Sequence, residues 1–413
     1  MLCFGLWNRR CDGNTDREGL KMEDKKVLFQ DIPINRSEIE QSELNIENKT
    51  RSNLFNWNGQ FSPQFIEALL NKYAEKGMVV IDPFLGSGTV LSECARKGLR
   101  AYGTELNASA YYMAKTYEVA NISYEDRQKL IDSIDRSIAG IENNKLILDS
   151  LIQIINISQN TSIKNIISTL IIVMDIYNNT ITMELLTVKW KWLKQLIRDL
   201  PYSKSRIKAE QGDARKMSLP DSTADLLITS PPYINVLNYH QKYRSSVEAL
   251  GYDVLKLARS EFGSNRKNRG NRFLTVIQYC IDIALSIKEA IRVCKAGSRM
   301  IYVVGRESTV LGCSFCNSEL IYEMAQEIFG LDLILRQERV FKNRYGTMIY
   351  EDILHFENNK DKYQVDEKII SEKAREIAVR MLKEKKPIEK NEATLQEAIV
   401  FANKVKKSEV VYA

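Results

Sequence analysis

Two short stretches bring together residue types that can hold a nucleoside and an amine. The first is DPFLGSGT, Asp82 to Thr89, in which Gly86 and Gly88 follow an apolar run and precede a helical pattern. Glycine is needed where the backbone takes positive φ or where a ligand approaches the main chain, so such a turn can cradle a bulky group at a strand's end. No GK[ST] follows, so the phosphate-binding lysine of a P-loop is missing, as is the complete GxGxxG of a dinucleotide site. The next apolar run, RAYGTE, ends at Glu105, whose carboxylate could accept both hydroxyls of a ribose. QGDAR then places Asp213 where it could accept from an adenine amine at the same edge. A nucleoside-containing cofactor without strong phosphate anchoring fits this set better than NAD.

The second stretch is TSPPY, Thr229 to Tyr233, directly after the apolar run ADLLITS. Pro231 and Pro232 lack N–H groups and cannot continue a sheet, so they stop the strand and leave backbone carbonyls as acceptors. Ser230 adds a hydroxyl and Tyr233 a flat aromatic face. An exocyclic amine on a nucleobase, with two hydrogens to donate and a planar ring to stack, matches that set.

The elements that must position these turns follow from the hydrophobic pattern. A helix is expected to start at Pro63, with Ser62 ahead of it. Strands are expected at 78–81, at RAYGTE, before GDAR and at ADLLITS, then at SRMIYVVG from 298 and in LILRQERVF and MIYEDILHF, with helices around 274–294 and 317–329. This alternation predicts an α/β, doubly wound, Rossmann-like sheet. Residues 122–206 change to an Ile- and Asn-rich helical pattern and read as an insertion. The expected organisation is a loosely ordered leader at 1–48, a cofactor-binding half at 49–121, the helical insertion at 122–206, a catalytic half at 207–357 and a helical tail at 358–413.

Composition narrows the function. No stretch reaches the roughly 18 consecutive apolar residues of a membrane span, and the N-terminus lacks the layout of a signal peptide; a cytoplasmic protein is expected. The seven cysteines are scattered and read as reduced thiols, and the single CxxC at Cys313 has no second ligand pair, so no metal site is expected. A net charge of +6 is mild, so an anionic partner must be argued from where the charge sits. It sits after Tyr233: Arg259, Arg266, Lys267, Arg269 and Arg272 face one acid, Glu261, in a glycine-containing segment that could follow phosphates or read guanine edges. His240 reads as a packing residue which, with Tyr239, borders the pocket for the base. The tryptophans of VKWKWLK, from Val188, read as core.

DPFLGSGT and TSPPY, with GTE and GDAR between them, resemble the motif set of S-adenosylmethionine-dependent DNA amino-methyltransferases, which act on cytosine N4 or adenine N6. The match runs over roughly residues 50–125 and 207–357. FNWNGQFSP, which contains Phe61 and Ser62, is similar to the segment that closes over the methionine end of the cofactor in that family. The resemblance implies that Phe61, Ser62, Asp82, Phe84, Gly86, Gly88, Thr89, Glu105, Asp213 and Ala214 surround S-adenosylmethionine. It also implies that Ser230 and the Pro231 carbonyl hold the target amine of a flipped base in duplex DNA while Tyr233 stacks on that base. Ser230 in place of the aspartate of DPPY points to cytosine N4; adenine N6 is the alternative, and guanine N2 in tRNA a more distant one. A restriction-modification setting with a cognate endonuclease is what the resemblance suggests. A non-catalytic nucleic-acid-binding module is the reading from another class.

Overall fold

The apolar runs pair into one sheet in the computed structural model, which describes residues 28–141, 146–234, 239–262, 268, 270–343, 346–359 and 365–411. Its strands are β1 (Val79–Asp82), β2 (Arg100–Glu105), β3 (Ile207–Gln211), β4 (Ala224–Thr229), β5 (Cys294–Gly305), β8 (Asp332–Lys342) and β9 (Met348–Glu357), in the order β3-β2-β1-β4-β5-β9-β8. The first five are mutually parallel, and β9 and β8 add as antiparallel strands. A small hairpin, β6 (Glu307–Val310) with β7 (Cys313–Cys316), stands apart; the sequence reading did not anticipate it. β1 is VVID, buried at every position, as a central strand covered on both faces requires.

This order fixes where a ligand can sit. From β1 the chain steps through β2 to β3 on one side, then returns to β4 and steps to β5 on the other. Strands β1 and β4 therefore flank the switch point, and open α/β sheets bind ligands in the crevice at the carboxyl ends of those two strands. DPFLGSGT follows β1 and SPPY follows β4.

The helices start and stop for local reasons. α1 is Gln41–Asn45 and α2 is Pro63–Tyr73, with proline at its first position. α3 (Thr89–Lys97) ends at Gly98 in the left-handed region, and α4 (Ala108–Thr116) is capped by Asn107, whose side chain accepts from the N–H groups of Ser109 and Ala110. The insertion supplies α5 (Tyr124–Ala139), α6 (Ile147–Ile157), α7 (Thr161–Met174) and α8 (Met183–Asp199) between α4 and β3. It is not a separate body: Ile131, Ile166 and Leu193 share one hydrophobic core with Val80, Ala101 and Ile228 of the sheet. Its two ends are fastened by Arg127, 1% exposed, which donates to the carbonyls of Ile122 (2.9 Å), Pro201 (2.9 Å) and Leu200. Trp190 is buried with its Nε1 on Asp135 (2.6 Å), whereas Trp192 remains partly exposed with its ring edge against Phe55.

Short helices α9 (Arg244–Ala249) and α10 (Val254–Leu257) follow the turn after β4, and α11 (Phe273–Val293) crosses from there to β5. α12 (Asn317–Glu323) continues into a wide turn at Met324–Ile328. The tail forms α13 (Glu367–Lys383), which buries Ile370, Ala374 and Ile377 and packs along α11, and α14 (Glu389–Val400).

One expectation needs correction. The leader was expected to be loosely ordered through residue 48, yet residues 34–48 are packed on the edge strand β8. Asn35 N–H donates to the Arg336 carbonyl (2.7 Å), and Asn45 Oδ1 accepts from Val340 N–H (2.8 Å). An edge strand leaves a row of unpaired backbone groups, and this segment supplies partners for them. Leu28–Pro33 fall in a separate short unit containing a 3₁₀ turn at Phe29–Asp31, and the remainder of the leader lies outside the described residues. Among the described residues no helix is long and apolar enough to cross a membrane.

Candidate active site at the switch point

The cofactor turn is held by close packing of its backbone. Gly86 and Gly88 have φ of 55° and 93°. A Cβ on Gly88 would stand 2.9 Å from Cα and Cβ of Ala114 in α4, so a side chain there is excluded by strain and by space. A Cβ on Gly103 in β2 would meet Leu85 at 2.5 Å, which is why β2 carries a glycine beneath the turn.

Glu105 ties the turn to β2. Its Oε2 accepts from Gly86 N–H (2.7 Å) and its Oε1 from Asn107 N–H (2.7 Å). Each oxygen keeps a lone pair for a further donor, as a ribose diol requires. Burial pushes its pKa up to about 7; the two N–H donors pull the other way, and the carboxylates of Asp82 and Glu261 add to the rise.

Asp82 serves both turns. Its Oδ1 accepts from Phe84 N–H (3.1 Å) in the cofactor turn and from Thr229 Oγ1 (2.6 Å) at the end of β4. Burial lifts its pKa to about 7 against those two hydrogen bonds. It lies behind the pocket and not in its lining.

The target turn is held by side chains from far downstream. Ser230 Oγ is 3.2 Å from the Tyr233 hydroxyl, and burial pushes that phenol's pKa up. The phenol accepts from Gly305 N–H, which leaves its own proton for Ser230 and one Ser230 lone pair for a second donor. Tyr233 lies so close to the end of β5 that a Cβ on Gly305 would be 2.7 Å from its Cε2. Buried Asn317 donates to the Gly305 carbonyl (3.0 Å) and to Ser308 Oγ (2.8 Å), and its Oδ1 accepts from Ile234 N–H just past the turn.

Both turns open into one pocket of about 930 Å³, counting its open mouth. Of the residues expected at the cofactor, Phe61, Phe84, Gly86, Thr89, Glu105, Asp213 and Ala214 line it; of the catalytic set, Ser230 and Pro232 do, as does Tyr239. Ser62, Asp82, Gly88, Pro231 and Tyr233 stand behind the lining. No Lys or Arg occurs among the described lining residues, whereas Glu105, Asp213 and Glu261 do. A pocket of that polarity suits a nucleoside with a cationic end and does not suit a polyphosphate. S-adenosylmethionine, whose sulfonium supplies an electrophilic methyl group, fits this donor set.

A strap closes the pocket. Trp57 approaches Gly86 and is stacked by Tyr239 at 5.9 Å, and Lys242 lies over its ring at 5.6 Å while donating to Asn58 Oδ1 (3.0 Å). The segment that begins at the target turn thus returns to hold the segment that covers the cofactor turn.

Several residues here were not anticipated. Arg215 grips Asp213: its backbone N–H (2.9 Å) and Nε (2.8 Å) reach Oδ1, and Nη2 reaches Oδ2 (2.5 Å). Only Oδ2 then keeps a lone pair for a ligand. Arg215 also pairs with Asp282 (2.6 Å), stacks on Phe262 and donates to the carbonyls of Ser408 and Glu409 at the chain's far end. Its charge beside the acid in GDAR was the available signal. Glu261, read as the lone acid in a basic stretch, enters the pocket wall with His240 on its Oε2 (2.7 Å). Gly305 and Asn317 carried no local signal. Of the basic residues expected at nucleic acid, Arg259 is exposed and Arg272 is half-buried at the start of α11, whereas Arg266, Lys267 and Arg269 lie outside the described residues.

Fold and pocket together are those of a Rossmann-like nucleoside-binding domain whose polarity suits S-adenosylmethionine. Comparison with known proteins narrows this description. Residues 7–116 match the family model described as DNA methylase, of the N6 and N4 type. A 51-residue stretch is 37% identical to the Type II methyltransferase M.MjaII of Methanocaldococcus jannaschii, covering 12% of this chain and 10% of that relative. Residues 7–116 are thus similar to DNA amino-methyltransferases of the N6 and N4 type, and the chain matches about a tenth of the length of the curated relative. Solved structures similar to it include a SAM-dependent methyltransferase from Methanosarcina mazei (12% identity, TM-score 0.35, 70% of this chain and 96% of that one). The rRNA methyltransferase AviRa from Streptomyces viridochromogenes is another (9% identity, TM-score 0.30, 80% and 95%).

Proposed function

We propose that this protein transfers a methyl group from S-adenosylmethionine to the exocyclic N4 amine of a cytosine flipped out of duplex DNA. The observation that carries the reading is the meeting of Gly86, Glu105 and Asp213 with Ser230 and Pro232 in one pocket at the switch point. In this reading Glu105 accepts the ribose hydroxyls and Asp213 the adenine amine. The glycines let the cofactor lie against the backbone.

Ser230 and the Pro231 carbonyl accept hydrogen bonds from the two N–H groups of the target amine. An aromatic amine is a poor nucleophile because its lone pair is delocalised into the ring; holding both N–H bonds localises that pair and aims it. Tyr233 offers its ring to the base and its phenol to Ser230. Rate then comes from positioning and electrostatics, without a covalent enzyme intermediate. The amine loses its proton after alkylation, when it is acidic enough to give it to water. Arg259, Arg266, Lys267, Arg269 and Arg272 supply phosphate and guanine contacts, in the cytoplasm and alongside a cognate restriction endonuclease.

The test is to incubate the protein with labelled S-adenosylmethionine and mixed-sequence duplex DNA, digest to nucleosides and identify the product by mass spectrometry. N4-methylcytosine is expected. N6-methyladenine would keep the mechanism and show that serine at position 230 does not set the base. Unmodified DNA with cofactor bound would move the reading to an RNA amine such as guanine N2.

A further inference from the structure

The pocket wall around Asp213 is tied to remote parts of the chain by a side chain that does not itself line it. The Arg215 side chain is 3% exposed, and all of its guanidinium N–H groups are directed at acceptors. Nε donates to Asp213 Oδ1 (2.8 Å), and Nη2 donates to Asp213 Oδ2 (2.5 Å) and to the Glu409 carbonyl (2.8 Å). Nη1 donates to Asp282 Oδ1 in α11 (2.6 Å) and to Ser408, at Oγ (2.7 Å) and at the carbonyl (3.0 Å). Ser408 N–H donates in turn to Asp282 Oδ1 (2.9 Å), and Glu409 N–H to the Arg259 carbonyl (3.2 Å). The guanidinium also lies over the ring of Phe262 at 4.8 Å, and Phe262 meets Phe84 edge to face at 5.4 Å; both rings line the pocket.

This arrangement decides what Asp213 can recognise. Its Oδ1 already accepts from the Arg215 backbone N–H and Nε, and its Oδ2 from Nη2, so the lone pair left on Oδ2 has its direction set by the guanidinium. An acceptor held in one direction takes a donor and repels another acceptor. Adenine carries an amine where hypoxanthine carries a keto oxygen, so such an acceptor separates the two bases. A lysine would supply charge beside the acid, but not the planar fork that binds both carboxylate oxygens and the far segment at once.

Resting on the reading that Asp213 meets the cofactor's adenine amine, we propose that Arg215 is a positioning residue: held by Asp282, Ser408 and Glu409, it aims Asp213 and so gives the pocket its preference for adenine over a 6-keto purine. Ser408, 193 positions downstream of Arg215, thereby bears on cofactor choice.

The experiment is titration calorimetry of the full chain with S-adenosylhomocysteine and, separately, S-inosylhomocysteine, its hypoxanthine analogue, for wild type, Arg215→Lys and Ser408→Ala. Wild type is expected to favour the adenine ligand about a hundredfold, the worth of one charge-assisted hydrogen bond set against an acceptor facing an acceptor. Arg215→Lys keeps a cation between Asp213 and Asp282, and its preference is expected to fall to about tenfold or less because lysine lacks the fork. Ser408→Ala leaves both acids paired and removes one support of the guanidinium, and the preference is expected to fall about threefold. A merely structural role would lower the affinity for both ligands alike; an intact preference in Arg215→Lys would overturn the proposal. If the lysine variant does not fold, Ser408→Ala decides, and an unchanged preference there overturns it. Wild type that binds the two ligands equally, or binds neither, would overturn the reading of Asp213 at the adenine amine, which is a separate outcome.

Discussion

The two turns that meet in the pocket are built by opposite means. The turn after β1 is shaped by what is left out: Gly86, Gly88 and Gly103 remove side chains so that backbone, Leu85 and α4 can close up. The turn after β4 is shaped by what is brought in: Tyr233 is set by Gly305 at the end of the neighbouring strand β5, and the chain past it by Asn317 at the start of α12. In the proposed function, the first is rigid and open to a cofactor, whereas the second receives an amine carried by a much larger substrate, and a hydrogen-bonded turn can be aligned one atom at a time.

The largest effect should come from the atom that touches the target. On the proposed mechanism, Ser230→Ala removes one of the two acceptors for the amine and leaves the cofactor turn untouched. It should lower kcat about 10²- to 10³-fold, the range for losing one oriented group at a reacting centre, with cofactor affinity unchanged by calorimetry. Retention of wild-type turnover by a folded variant would remove Ser230 from the mechanism.

Breaking the other turn should show up in binding and stability instead. Gly88→Ala places a Cβ 2.9 Å from the Ala114 backbone at a φ of 93°. Strain and overpacking together should cost about 3 kcal/mol of unfolding free energy and abolish cofactor binding. Denaturant titration reads the first and calorimetry the second. A stable variant that binds cofactor normally would show that the turn is not closed by α4.

Gly305→Ala sharpens the contrast because it acts on the target turn from a distance. The new Cβ must push Tyr233 away, and Tyr233 sets Ser230. We expect kcat to fall about tenfold, about 1.4 kcal/mol in the barrier, with cofactor affinity retained. Pairing it with Ser230→Ala gives a further check: if Gly305 acts through Ser230, the double variant should be little worse than Ser230→Ala alone.

This contrast also explains what could be read in the sequence. The demands of the cofactor turn are local, so Gly86 and Gly88 announce it within eight letters, and Glu105 follows at the next strand end. SPPY is equally visible as a turn that stops a strand. Its supports are not: nothing around Gly305 or Asn317 in the chain refers to Tyr233, because the register of β5 against β4 and the placement of α12 are made only on folding. Arg215 was overlooked for a related reason, since its partners Asp282, Ser408 and Glu409 come from remote segments. The leader was misjudged because its partner is an edge strand whose backbone groups leave no mark in composition. Residues 122–206 were recognisable as helical by period, whereas their fusion with the main core depends on Arg127 meeting carbonyls at both ends of the insertion.

The smallest effect links the two turns through Asp82, which bonds to both. Glu105 and Asp82 each have a pKa pushed up to about 7, chiefly by burial. For a carboxyl whose folded pKa is raised, stability is highest at low pH and declines as pH climbs from its unfolded value, about 4, through about 7. Cofactor binding has the opposite sign, because the ribose hydroxyls call for an ionised Glu105. Affinity for S-adenosylmethionine should therefore fall as pH drops through about 7, approaching tenfold per unit, and level off above it. The groups that face Glu105 in this range are Asp82, Glu261 and the Tyr239 phenol. Asp82→Asn keeps an acceptor for Thr229 and Phe84 while removing a charge that raises Glu105, so its binding curve should be displaced to lower pH. A profile flat from pH 6 to 8 would show that Glu105 is ionised throughout; a shift absent in Asp82→Asn would show that the two turns are joined by hydrogen bonds alone and not by charge.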